Sequence, residues 1–171
     1  NLNHLREDVD YWHRPERGFF EVFETMIKKG VVEYNKLEKG YIEMLAGALF
    51  LTIMKDAEGK DFWIAKTKSD PPDFAFMTMV EYKEGFSLNS REVEVTRNIY
   101  SVEQLEKTLM EKDVPYPRDT AILCYVESPG TLDLRILSEK LKSQIKHIDC
   151  VFVIFHGTLI DEVKSEERRV G

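Results

Sequence analysis

Thr120-Ala121-Ile122-Leu123-Cys124-Tyr125-Val126 is a continuous apolar run of strand length. It lacks the alternation of a half-exposed strand, so both faces must be covered, as in the parallel strands of layered sheets. Ser128-Pro129-Gly130 turns the chain after it. Leu134, Leu137, Leu141 and Ile145 then line one face of a helix spanning residues 132–146, and residues 148–156 form a further strand. On the other side of the run, Ser101 and Gln104 make a capping-box pattern for a helix reaching Lys112. Strands alternating with helices predict a mixed central sheet flanked by helices on both faces, an α/β (α+β) class fold.

The first half supplies the remaining elements. Pro15 suits the first position of a helix carrying Phe19, Phe20, Val22, Phe23, Met26 and Ile27, which Gly30 can end. A second helix is expected from about Asn35 to Met54, striped by Leu37, Tyr41, Leu45, Ala48 and Leu49 and broken by the polar stretch Asp56–Gly59. Ser69-Asp70-Pro71-Pro72 forces a turn. Strands are expected near 62–67, 73–80, 91–99, 120–126 and 148–156, with the helix near 36–54 packed on the sheet. The chain divides into an N-terminal arm and helix (1–34), a core (35–160) and a charged C-terminal tail (161–171).

The chain has 171 residues, 43% hydrophobic and 32% charged, with a formal net charge of −7. That is enough apolar content for a core, and too acidic for a protein that coats nucleic acid by bulk charge. It does not exclude a nuclease, whose metal site itself needs carboxylates. Cys124 and Cys150 sit in apolar runs and read as free thiols, which favours a reducing, cytoplasmic setting. No apolar stretch is long enough to span a membrane. His4, His13, His147 and His156 have no zinc-ligand spacing with the cysteines, and His156 reads as structural. Walker A, G-x-G-x-x-G and G-x-S-x-G strings are absent. Tyr11-Trp12-His13-Arg14 and Arg17 could touch nucleic acid, but a solvated amphipathic arm accounts for them more simply.

Three acids stand in unusual places. Asp73 opens the apolar strand Phe74-Ala75-Phe76-Met77; Glu94 shares a strand face with Glu92 and Thr96; Glu43 lies on a helix beside Gly40, Ala46 and Gly47, a surface able to approach a sheet closely. Singly, each has a plain structural reading: a turn residue, the wet face of an edge strand, a half-exposed helix residue. Together they suit a hard divalent cation, Mg²⁺ or Mn²⁺, which prefers oxygen ligands and can activate water at a phosphoryl group.

Glu43, Pro72-Asp73 and Glu94-Val95-Thr96, in that order, resemble the PD-(D/E)xK nuclease superfamily, the restriction-endonuclease-like fold. The resemblance implies a helix bearing a Glu, a β-meander bearing the Asp and the (D/E)xK, then a helix and a further strand, with the loop through Lys83, Gly85 and Asn89 as a hairpin connection. It also implies a Mg²⁺- or Mn²⁺-dependent DNA nuclease that hydrolyses phosphodiester bonds, with Glu43, Asp73 and Glu94 as metal ligands. DNA is then the expected partner, no membrane is involved, and a homodimer is admitted as its assembly. The family lysine falls on Thr96, which can donate a hydrogen bond but carries no charge. Reading Glu92 as the acid would place Glu94 in the lysine slot, which is electrostatically worse. Lys66 or Lys68 is the expected migrated cation, and Arg97 lies on the opposite strand face. The alternative is a catalytically inactive nuclease-like module that binds nucleic acid or a protein partner.

Overall fold

Pro15 and Gly30 bracket the first helix, α1 (Pro15–Lys29): the proline ring presets the helical φ, and Gly30 takes the left-handed cap at φ 63°. The structure, a computed structural model, describes residues 9, 11–33, 36–68, 71–116, 120–127 and 133–155, except the Leu134 side chain. Asn35, the Ser69-Asp70 pair, the Ser128–Gly130 turn, His4, His156 and the charged tail lie outside these residues. The second helix, α2 (Lys39–Glu58), runs beyond its expected end at Met54. Polar residues on a solvent face do not stop a helix. Gly59 does, at φ 66°, where its N–H donates to the Lys55 carbonyl at 2.8 Å.

Five strands form one mixed sheet in chain order: β1 (Phe62–Lys66), β2 (Phe74–Tyr82), β3 (Gly85–Ile99), β4 (Thr120–Val126) and β5 (Val151–Phe155). β1, β2 and β3 are an antiparallel meander; β4 runs parallel to β3, and β5 parallel to β4. Helices α3 (Val102–Lys112) and α4 (Leu134–Gln144) make the two crossovers. Gln104 N–H donates to Ser101 Oγ, the expected cap, while Gln104 Oε1 accepts from Tyr100 N–H, one residue before the N-cap that a capping box would use. Asp133 caps α4 by accepting from Arg135 and Ile136 N–H, each at 3.0 Å.

The sheet separates two cores. Val93, Val95, Ala121 and Leu123 pack with Phe62, Ile64 and Phe74 against Met44, Phe50 and Leu51 of α2. Ile122, Cys124 and Val126 face the other way, against Leu105 and Leu109 of α3 and Leu137 of α4. This is the doubly buried strand expected of 120–126. Gly47 lets α2 press onto the sheet: a Cβ there would lie 2.9 Å from Ile64 Cδ1 and from the Phe74 ring.

Two expectations fail. The third strand begins at Gly85, not near residue 91, so the connection is Lys83-Glu84 alone and Asn89 pairs with Thr78 inside the ladder. Phe86-Ser87-Leu88-Asn89 carries a strand alternation that its exposed position disguises. Where it is described, at residues 9 and 11–14, the arm is not a solvated element either. Val9 and His13 are buried and bridge Thr67 and Ile64, covering the free edge of β1. Trp12 packs with Val9, Ala65 and Ala75, and the Arg14 guanidinium stacks 4.3 Å from the Trp63 ring while pairing with Asp61. No helix among the described residues is long and apolar enough to cross a membrane.

Candidate functional site

Asp73 sits at the point where β2 begins beside β3. Its N–H donates to the Val93 carbonyl at 3.0 Å, and its carbonyl accepts from Thr67 N–H. Thr67 Oγ1 also donates to the Pro72 carbonyl, so the backbone here is held from both neighbouring strands. Asp73 stands one residue before the Phe74–Val93 pair that closes the β2–β3 ladder, beside the Val93–Val95 stretch that carries Glu94. Val95 N–H donates to Asp73 Oδ2 at 2.7 Å.

Glu43 and Glu94 are both buried. α2, which carries Glu43, covers the Val93 and Val95 face, whereas Glu94 shares the opposite face with Ile122 and meets α3. Asp73, at the sheet margin, is the acid that feels both. Lys39, one turn before Glu43 on α2, lies 3.2 Å from Glu43 Oε1 and 3.8 Å from Asp73 Oδ1. Lys112, the last residue of α3, donates to Glu94 Oε1 at 2.5 Å. Glu94 Oε2 is buried with no hydrogen-bond partner.

The electrostatics follow from this crowding. Burial pushes the Asp73 carboxyl up to about 6; the Val95 N–H opposes the rise, and the neighbouring Glu43 adds to it. Burial raises Glu94 as well, against the Lys112 hydrogen bond and with a contribution from the Asp73 charge. For Lys112, burial works to lower the ammonium, but the hydrogen bond and charge of Glu94 outweigh it and the group is raised. The half-buried Tyr116 phenol is raised by burial and then by the Glu94 and Asp73 charges, which places it in the same field.

The predicted site residues divide. Glu43, Asp73 and Glu94 come into one neighbourhood. Thr96 is buried on the Glu94 face and paired in register with Cys124. Glu92, also buried, pairs in register with Thr120. Lys66 ends β1 with its ammonium against Gly40, at the start of α2, and Lys68 is exposed just beyond Thr67. Lys39, Lys112 and Tyr116 escape the reading of the sequence. Lys39 could have been found from its helical spacing to Glu43. No local spacing links Lys112 to Glu94, because α3 must first fold back along the sheet.

Asp73 and Glu94, with the unpartnered Oε2, form a donor set of the kind a hard cation uses, since Mg²⁺ is commonly held by one or two carboxylates plus water and substrate oxygens. They do not form a cage: among the described residues no group of three or more His, Cys, Asp or Glu side chains is placed to hold a metal ion. Cys124 is a buried core thiol, and burial pushes it up to about 12, away from the thiolate a nucleophile needs. Comparison with known protein families, curated proteins and solved structures finds no match.

Proposed function

We propose that the chain is a divalent-metal-dependent nuclease of the PD-(D/E)xK type that hydrolyses phosphodiester bonds in DNA. The observation that carries this reading is the nearness of Asp73, whose Oδ2 accepts from Val95 N–H, to Glu94 one residue away on β3, with a cation, Lys112, hydrogen-bonded to Glu94. The meander followed by a helix and a parallel strand is the element order the resemblance implies. Asp73 and Glu94 would hold Mg²⁺ or Mn²⁺ with Glu43 beside them, and the ion would supply an acidified water and offset charge on the phosphoryl group.

The chain's own side chains have separate tasks. Val95 N–H orients the Asp73 carboxylate. Lys39 lowers the mutual repulsion of Asp73 and Glu43. Lys112 supplies the positive charge that Thr96 lacks, and its ammonium can donate to a phosphate oxygen as well as to Glu94. It takes the part expected of Lys66 or Lys68.

The experiment is single-turnover cleavage of single- and double-stranded DNA with Mg²⁺ or Mn²⁺. Asp73→Asn should abolish cleavage and weaken Mn²⁺ binding in calorimetric titration. Lys112→Ala should slow cleavage by about 10²-fold or more, and Lys66→Ala and Lys68→Ala should leave it near wild type. Loss with Lys66→Ala or Lys68→Ala, and not with Lys112→Ala, would reassign the cation. A second reading, an inactive nuclease-like module, is favoured by two observations: Lys39 and Lys112 already pair with the acids, and no three-ligand group forms among the described residues. Absence of cleavage with every divalent ion, together with DNA binding that Asp73→Asn does not change, selects it.

A further inference from the structure

A cavity of about 280 Å³ lies between α1, α2 and the sheet, and Glu43, Asp73 and Glu94 are not among its lining residues. Phe19, Leu45 and Leu49 give it apolar walls, and Arg97, Tyr125 and Glu127 form its sheet side. It opens at the carboxyl ends of the parallel strands β3 and β4, the side of an open sheet where ligands collect. A bulge between Thr96 and Ile99, with Asn98 at φ 60°, separates the fates of these residues: Ile99 turns into the α3 core, while Arg97 stays on the α2 side.

The two charges in this cavity are not paired with each other. Arg97 is half-buried, Glu127 is exposed, and neither has a partner of opposite charge within ion-pairing distance among the described residues. A guanidinium held against apolar walls loses hydration and gains from a counter-charge. The volume is at the small end of the roughly 300–1,000 Å³ typical of ligand pockets, which suits a small occupant. A simple carboxylate would satisfy Arg97 but face Glu127; a simple amine would do the reverse. A zwitterion with an apolar side chain answers both charges and the walls together.

We propose that this cavity binds a small apolar α-amino acid, its carboxylate on Arg97, its ammonium on Glu127, and its side chain among Phe19, Leu45 and Leu49. The site is independent of the nuclease reading and stands or falls without it.

The test is calorimetric titration of the full chain with L-leucine and L-phenylalanine, alongside 3-phenylpropanoate, which lacks the ammonium. Saturable binding of at least one amino acid is expected, tighter than 3-phenylpropanoate. Arg97→Gln should weaken it at least tenfold. Glu127→Gln should weaken the amino acid by a similar factor and leave 3-phenylpropanoate unchanged or tighter. Circular dichroism checks that both variants keep the fold, and both residues border the cavity rather than fill a core. The proposal is overturned if neither amino acid binds, as when Arg97 and Glu127 pair directly in solution. It is also overturned if binding ignores both substitutions, or if 3-phenylpropanoate matches phenylalanine and Glu127→Gln has no effect.

Discussion

Asp73 is an acid enclosed by protein beside a second acid, and its raised carboxyl has a consequence for stability. Between its ordinary value of 3.8 and about 6, the folded chain holds this proton while the unfolded chain has released it. Stability therefore falls as pH rises through that window and levels off above it. The displacement corresponds to roughly 3 kcal/mol at most, and Glu94, raised in the same direction, adds to the slope. Asp73→Asn should flatten the slope, so that the variant gains on wild type from pH 4 to pH 7 in urea unfolding. Parallel pH profiles for the two proteins would assign the titration elsewhere. Lys112→Ala strands Glu94 without its cation and should cost about 1–3 kcal/mol at pH 7. The cost should shrink as pH is lowered and Glu94 takes up a proton, and in a Glu94→Gln background. A double-mutant cycle with no coupling would show that the pair contributes nothing to stability.

At the scale of elements, termini were legible where one residue type carries the signal. Pro15 with Gly30 and Ser101 with Gln104 place helix ends through local chemistry alone. Ser101→Ala should remove the α3 cap at a cost of about 1 kcal/mol, measurable as a lower urea midpoint. The end of α2 was less legible, because Asp56 and Glu58 look like a break yet continue the solvent face until Gly59. Gly47 is a case where propensity and packing disagree. Alanine favours a helix by about 1 kcal/mol, but its Cβ would meet the Phe74 ring and Ile64 at 2.9 Å. Gly47→Ala should therefore destabilise by about 1–3 kcal/mol and move the helix that carries Glu43. An unchanged or higher midpoint would mean that α2 has room to shift outward.

Across the whole molecule, the α3 end and the segment before β5 are tied by one side chain. Asp113 accepts from Lys146, His147 and Ile148 N–H at 2.8, 2.7 and 3.2 Å. It follows Lys112 directly, so this anchor also holds the ammonium beside Glu94. Asp113→Ala should cost about 1–3 kcal/mol and lower any cleavage activity through Lys112; full activity with reduced stability would separate the two effects.

The sequence by itself determined where the strands and helices lie, apart from the first half of β3 and the end of α2, because hydrophobic period and cap chemistry act within a few residues. It also determined that Glu92, Glu94 and Thr96 share one strand face, since alternation along a strand is geometric. It could not determine what stands next to Glu94. That depended on Asp73 meeting the Val93–Val95 stretch of β3 and on α3 returning along the sheet to deliver Lys112. These are contacts between residues far apart in the chain, chosen by which surfaces bury together, and short-range spacing carries no record of them.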